Sequence, residues 1–586
     1  MVKNIGISFA ILWGSWGIAE YIYGQGHFLN PIFELMVGIF GFSVTFSALK
    51  NCKVLRGLLK ALFGIFVFAY FAECVYYSQT GEWISTLALE NIDQLYLLLT
   101  PEYVLLLLLI LMVTFLLAYK WSGKLSARGL VLIGFLFLVS IPCVLVQNGV
   151  IKSHFGDKIN QVYLGGRTPL YDFNKKIVGC IKLSFRERKI ASYPFEKKYI
   201  YQSPLPFSVR NKSISNPNII LIFTEGTSAR LIGCYNKKYQ AVTPNIDKLA
   251  NNEHSMKVIN YFNHTCATFR GTHGQLSSCF PRSGGWEKGG WQGVKTGTGM
   301  AKKLSQRSYQ TLPKLLNANY DTIFLSPHMK KDAYTELLNM LGFANIYTRD
   351  DADKILMTKP MYYHESLSDS DMYKELENLL DARQVDKPFF LAMYTFGTHT
   401  NIDVPSNGEK FGIGKNETLN TLHNVDSAFG KFWNHFVHSK YRDNTIVIFT
   451  ADHCHYHDKS FLSLVSQDSD YIKVFYDKIP LIIYDPVHKL PREFDAKNRS
   501  SLDLTPTICQ LLGVNNVKNS FCGTSIFEHN DSKVTLLANG FAFYGICDGK
   551  IKSEDSIPKA YKDEFLSKKE KALLFYDCEK CNHVFH

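Results

Sequence analysis

The sequence predicts an α-helical membrane domain of five spans, followed by an extracytoplasmic α/β sandwich on a mostly parallel sheet. Three observations predict it. Five long apolar runs follow one another before residue 147. Basic residues alternate from loop to loop between those runs. From Asn218 onward, short continuous apolar runs alternate with helical patterns. At 586 residues the chain is too long for one small domain, and its 46% hydrophobic content averages two unlike parts.

The apolar runs are Ile5 to Ile22, Pro31 to Leu49, Leu58 to Tyr77, Tyr103 to Tyr119 and Leu130 to Val146. Each approaches the roughly 20 residues that cross a hydrocarbon core. A cleaved leader does not fit a long first run followed by four more. Lys3 precedes the first run, and Lys50, Lys53 and Arg56 follow the second. Lys120, Lys124 and Arg128 follow the fourth. The loop from Gly24 to Asn30 has no Lys or Arg, and the loop after the third run holds Glu82, Glu90, Asp93 and Glu102. The positive-inside rule then puts the N-terminus in the cytoplasm, and an odd span count puts everything after Val146 outside.

Expected boundaries are 1–146 for the membrane domain, 147–215 for an interfacial connector, 216–530 for a catalytic domain and 531–586 for a C-terminal extension packed on it. The connector mixes basic and aromatic residues, as in Lys198-Tyr199-Ile200-Tyr201. The net charge of +12 suits a domain resting on an anionic lipid surface. An outside location without a basic-aromatic module excludes a nucleic-acid partner. Of 13 cysteines, Cys52, Cys74 and Cys143 lie in the membrane part, and the rest stand where disulfides persist. Cys266 and Cys279 flank a candidate active segment and are expected to pair. Cys578 and Cys581 form a CxxC that reads as a local disulfide or two thiols rather than a metal site.

Asn218 to Phe223 is an apolar run of the kind buried on both faces of a sheet. Asp321 to Leu325, Phe389 to Tyr394, Thr445 to Phe449 and Leu481 to Tyr484 repeat it. Helical patterns run over Thr311 to Ala318, Ala333 to Leu341 and Leu419 to Val437. Strand-helix alternation predicts the parallel sheet, and ligands then bind beyond the carboxyl ends of its strands. Two strands end on chemistry: Thr224-Glu225-Gly226 and Thr450-Ala451-Asp452-His453. Two carboxylates and an imidazole suit Mn or Zn better than Ca, which prefers an all-oxygen shell.

These strand ends, with Thr243-Pro-Asn-Ile-Asp247, Asn263 to Cys279, Thr311 to Leu316, Gly342-Phe343 and Leu502 to Ile508, resemble the alkaline phosphatase and sulfatase superfamily. The five-span plan resembles its membrane-bound transferases, which include lipoteichoic acid synthase and the phosphoglycerol and phosphoethanolamine transferases. The resemblance implies an alkaline-phosphatase-like fold and one or two divalent ions, Mn or Zn. It also implies a Thr nucleophile that ligates the metal beside Glu225, Asp452 and His453. Thr268 and Thr272 compete for that role in the segment Cys266-Ala-Thr-Phe-Arg-Gly-Thr-His273. Thr268 is favoured, because its neighbourhood Ala-Thr-Phe-Arg-Gly better resembles the nucleophile turn of the glucan-type enzymes; a helix opening there would also aim its positive end at the transferred phosphate. The resemblance implies substrate contacts from His328 and His399, and Arg270 is a candidate phosphate ligand. The Trp and Arg that follow the His of lipoteichoic acid synthase are absent after His328, where the chain reads Met329-Lys-Lys-Asp332. His455 and His457 either touch substrate or lie on an exposed loop.

The implied reaction moves a phosphoglycerol or phosphoethanolamine group from a membrane phospholipid donor to an envelope glycan or lipid acceptor through a phospho-threonine. The alternative is a sulfatase or phosphodiesterase that passes the group to water. Sulfatases convert a Cys or Ser in Cys-x-Pro-x-Arg to formylglycine. Cys266 and Arg270 match the ends of that pattern, but Thr268 stands at the Pro position.

Overall fold

The computed structural model describes residues 53–80, 112, 200–281, 310–539 and 542–580. The chain divides into two compact units, residues 1–185 with 552–558, and residues 186–551 with 559–586. The described residues of the first are helix α1 (Lys53–Thr80), Met112 and residues 552–558. The third expected span falls inside α1; the other four lie outside the described residues, Met112 apart. Among the described residues no helix is long and apolar enough to cross a membrane. In α1, Lys60 and Glu73 interrupt the apolar run. Leu59, Phe63, Val67 and Tyr70 are buried at helical spacing, whereas Leu58, Leu62 and Ile65 are exposed.

The second unit is built on an eight-stranded sheet. Its strands are β1 (Asn218–Thr224), β2 (Ser255–Phe262), β3 (Asp321–Leu325), β4 (Asn345–Tyr347), β7 (Phe389–Thr395), β8 (Thr445–Ala451), β9 (Leu481–Tyr484) and β10 (Glu493–Ser500). The intervening β5 (Tyr362–Tyr363) and β6 (Ser366–Leu367) form a separate small hairpin. The sheet order is β10-β2-β9-β8-β1-β7-β3-β4. All neighbours pair in parallel except β9, which runs antiparallel to β2 and β8. The five expected strands are all present; β2, β4 and β10 are additional.

Helices cover both faces, so central strands are apolar on both sides. Along β1, Ile219, Leu221 and Phe223 enter one core and Ile220 and Ile222 the other. The first core includes residues of α3 (Thr268–Ser277), α4 (Leu312–Leu316), α5 (Ala333–Leu341) and α10 (Leu504–Leu511). The second includes residues of α2 (Pro244–Ala250), α6 (Ala352–Leu356), α7 (Asp369–Ala382), α8 (Glu417–Val437) and α9 (Lys459–Val465).

The described end of the connector, from Ile200, is extended and turned rather than helical. It is tied to the second unit by Gln202 and Ser203 N–H groups donating to Glu528, and by a bridge between Val209 and His488. Beyond residue 530, β11 (Thr535–Asn539) and β12 (Ala542–Cys547) pair antiparallel, and α11 (Lys559–Lys580) contacts both. Ala538 N–H donates to the His264 carbonyl (2.9 Å). Cys581 of the CxxC lies outside the described residues.

Candidate functional site

The site is assembled by register. Thr224 of β1 pairs with Ala451 of β8 on one side and Thr395 of β7 on the other. Parallel strands in that register release their next residues at one edge, so Glu225, Asp452 and the loop from Phe396 to His399 emerge together. Gly226 has φ +46, a conformation that favours glycine, and a Cβ there would lie 3.2 Å from the His453 ring. Its N–H donates to Asp452 Oδ1 (2.8 Å), as does that of His453 (2.8 Å). The His453 Nδ1 meets the Cys454 carbonyl (2.6 Å), which turns Nε2 toward the carboxylates.

Among the described residues, Glu225, Asp452 and His453 form a buried cluster whose candidate ligand atoms all lie within 4.8 Å of one another. His453 Nε2 is 3.1 Å from Glu225 Oε1 and 3.4 Å from Asp452 Oδ2. These three atoms are buried without a hydrogen-bond partner outside the cluster. Orphaned buried polar atoms are costly, and three converging on one point fit a divalent cation. The three groups also shift one another. Burial pushes the Asp452 carboxyl up, and the Glu225 carboxylate adds to this, to about 7. Burial pulls His453 down, but the two carboxylates overcome it and lift the imidazole to about 9. Burial also opposes Glu225 ionisation, yet His453 holds that carboxyl down at about 2.

Helix α3 brings the hydroxyl. Ala267 before it has φ +70, a strained conformation for a side chain, and Thr268 is the first helical residue. Thr268 Oγ1 donates to Glu225 Oε2 at 2.9 Å. The helix lies directly on the end of β8: a Cβ on Gly271 would be 2.3 Å from the Asp452 carbonyl oxygen. Gln275 Nε2 donates to the carbonyls of Ala451 (3.0 Å) and Asp452 (2.9 Å). Thr272 is fully buried one turn deeper, its hydroxyl 3.0 Å from that of Tyr334. The structure therefore brings Thr268, not Thr272, to the cluster.

Arg270 is buried and points back along its own chain. Its Nε donates to the Cys266 carbonyl (3.0 Å), bracing the turn before Thr268. Cys266 and Cys279 do not form the expected disulfide. They lie at opposite ends of the ten-residue α3, which is about 15 Å long. A disulfide needs Cα atoms within about 7 Å.

His328 and His399 stand at the same edge, beyond β3 and β7. The His328 ring packs against Tyr334, Tyr394 and Phe396 with centroids 5.6, 5.7 and 5.7 Å away, and burial pulls its pKa down. The His399 ring stacks on Phe396 at 4.9 Å. His455 is part of the scaffold: its ring nitrogens meet the Gly226 carbonyl (2.8 Å) and Asp458 (3.1 Å), and Asp458 accepts from Thr400 (2.8 Å). His457 stacks on Phe475 at 4.8 Å. Sequence reasoning missed Tyr394, whose hydroxyl donates to Glu225 Oε2. The available signal was a phenol at the C-terminal end of an otherwise apolar strand. It also missed Tyr456, whose ring lies 4.9 Å from that of His453.

Lipoteichoic acid synthases 1 and 2 of Bacillus subtilis (strain 168) are each 21% identical to this chain, over 356 and 350 residues. Those matches cover 56% and 57% of this chain and 50% and 51% of the relatives. The chain thus spans about half the length of the curated relatives it matches. The crystal structure of the lipoteichoic acid synthase LtaP from Listeria monocytogenes aligns over 65% of this chain and 97% of that one, at 18% identity and a TM-score of 0.48. A protein of the alkaline phosphatase superfamily from Vibrio parahaemolyticus aligns over 69% of this chain and 97% of its own, at 18% identity and a TM-score of 0.47. The family model described as Sulfatase matches residues 217–514, just over half of the chain and all of the strand ends that build the site. The chain belongs to the sulfatase family.

Proposed function

We propose that this sulfatase-family enzyme is a membrane-bound phosphotransferase. It moves a phosphoglycerol or phosphoethanolamine group from a phospholipid to an envelope glycan or lipid, through a phosphorylated Thr268. The observation that carries this reading is the Thr268 hydroxyl, 2.9 Å from Glu225 at the opening of α3, beside the three orphaned ligand atoms. Glu225, Asp452, His453 and Thr268 would hold the ion, and their mixed oxygen and nitrogen donors suit Mn or Zn. When bound, such an ion lowers the pKa of a hydroxyl and neutralises phosphate charge.

The chain's own groups do the rest. Glu225 Oε2 accepts the Thr268 hydrogen and so orients the attacking oxygen. The first N–H groups of α3 face the phosphate with the positive end of the helix dipole. Attack forms a Thr268 Oγ1–phosphorus bond and breaks the bond to diacylglycerol, whose oxygen leaves with the proton that Thr268 gives up. An acceptor hydroxyl then bonds phosphorus as the Thr268 Oγ1–phosphorus bond breaks, and its proton returns to Thr268. His328 and His399 bind the head group, and Arg270 holds the turn. Similarity to lipoteichoic acid synthases supports phosphoryl transfer, and the alternating loop charges support an extracytoplasmic domain anchored by membrane spans. Exposed Leu58, Leu62 and Ile65 on α1 support a lipid contact there.

The test is mass spectrometry of the purified chain after incubation with phosphatidylglycerol or phosphatidylethanolamine alone. The expected product is a phosphoglycerol or phosphoethanolamine adduct on Thr268, absent in Thr268→Ala, whose head-group release falls by about 10⁴-fold or more. An adduct on Thr272, or formylglycine at Cys266, would overturn the assignment.

A further inference from the structure

The C-terminal end of α3 ends against a loop that carries a second thiol. Ser278 caps the helix in the left-handed conformation, φ 51. Its carbonyl accepts from Cys522 N–H at 2.5 Å. Its hydroxyl accepts from Gly523 N–H (3.0 Å) and donates to the Leu502 carbonyl (2.7 Å). A Cβ on Gly523 would lie 2.4 Å from that Leu502 oxygen, so the loop sits as close as a glycine allows. Next along the chain, Cys279 Sγ is 3.6 Å from the Ser520 carbonyl and 3.7 Å from its hydroxyl. Residues 278 and 279 therefore lie alongside 520 to 523.

We propose that Cys279 and Cys522 are a disulfide site that staples the rear of the nucleophile helix to the loop after α10. Close backbone contact at neighbouring residues supplies the short Cα separation that a disulfide requires. Access comes from one side. Cys522 is half-buried on the wall of a cavity of about 310 Å³, which Arg499, Lys568 and Lys571 also line. Cys279 is fully buried, and burial pushes its thiol well above the usual range, so it does not react first.

Oxidation takes two exchanges with a small-molecule or protein disulfide. The Cys522 thiolate attacks the oxidant's sulfur, forms a mixed disulfide and expels one thiolate. The Cys279 thiolate then attacks Cys522 Sγ and expels the second. The two cysteines are oxidised, the oxidant is reduced to two thiols, and those thiols take up the two cysteine protons. Persistence of the bond in the cell rests on the extracytoplasmic reading; its formation on the folded chain does not.

The experiment treats the folded full-length chain with oxidised glutathione, then maps peptides without reduction and follows thermal unfolding. The expected result is a Cys279–Cys522 linked peptide, lighter by two hydrogens than its parts. The cross-link closes a loop of about 240 residues. It should raise Tm by about 5 °C or more over the dithiothreitol-treated chain. Cys279→Ser should instead retain one glutathione on Cys522. A wild-type chain that keeps both thiols, holds a lasting glutathione on Cys522 or links Cys279 to another cysteine overturns the site. A linked chain with unchanged Tm overturns the staple. Wild-type mapping decides the site even if the serine variant does not fold.

Discussion

The two halves of the site's edge are built differently. The β1/β8 corner is fully buried: Glu225 is 1% exposed and Asp452 and His453 are 0%. Main-chain groups fix Asp452 and His453, and the hydroxyls of Thr268 and Tyr394 fix Glu225. At the β3/β7 corner His328, His399 and Phe396 are half-buried; His328 is seated over the buried rings of Tyr334 and Tyr394, and both histidines pack on Phe396. The first corner suits a charge-dense ion that needs fixed ligands. The second suits a head group, read by loops that can vary without moving the strands. On the function proposed above, the difference places reaction type and substrate choice at separate corners, with the departure after His328 on the substrate side.

The largest expected effect is at the buried corner. Asp452→Asn should lose bound metal and lower activity by about 10³-fold or more, because one ligand charge is gone while the fold remains. Elemental analysis showing full occupancy with normal turnover would erase the corner's distinct role. Next is Gly271→Ala, whose Cβ would press on the Asp452 carbonyl from 2.3 Å. Displacing α3 should lower kcat by about 10²-fold and cost about 1–3 kcal/mol of stability. Steady-state kinetics with denaturant unfolding would check it; an unaffected kcat would mean the helix need not touch β8.

Tyr394 joins the corners, because its hydroxyl reaches Glu225 while its ring faces His328. Tyr394→Phe keeps the ring and should weaken metal binding or activity by about 10-fold, with KM little changed. A rise confined to KM would move Tyr394 to the substrate side.

The smallest effect concerns the support of the His399 loop. Asp369 Oδ1 accepts from Phe396 (3.1 Å) and Gly397 (3.0 Å) N–H groups, and its Oδ2 is buried without a partner. Burial pushes the carboxyl up, and the two N–H groups pull it only partway back, to about 6. The folded value exceeds the unfolded one of about 3.9. Its contribution is therefore fully favourable below about pH 3.9 and is lost as pH rises through about 6. Asp369→Asn should remove that loss and gain about 1–3 kcal/mol at pH 7 relative to its effect at pH 4. Unfolding curves at both pH values, with the same difference at each, would show that the loop does not depend on this carboxylate.

Much of the fold was legible because its central strands are buried on both faces. The runs at β1, β3, β7, β8 and β9 could hardly be read otherwise. Edge strand β10, Glu493–Ser500, was not legible: five of its residues are charged or amide-bearing, and its identity comes from pairing with β2. The candidate ligands were legible because each follows such a run directly, as Glu225 follows Ile-Phe-Thr and Asp452-His453 follow Phe-Thr-Ala. The hydroxyl was narrowed to two threonines, with Thr268 favoured over Thr272.

What the sequence alone determined is therefore local: which segments are apolar enough to be central strands, and which polar groups stand at their ends. Tertiary structure decided what meets. The pairing of Thr224 with Ala451 sets Glu225 beside Asp452. Contact of Gly271 and Gln275 with β8 aims Thr268 at Glu225 and leaves Thr272 to Tyr334. The length of α3 separates Cys266 from Cys279, and the loop after α10 brings Cys522 to the latter. The physical reason is that burial and backbone preference act over a few residues and leave a periodic mark. A contact between residues far apart in the chain depends on sheet register and on the helix seated against it, for which no local pattern codes.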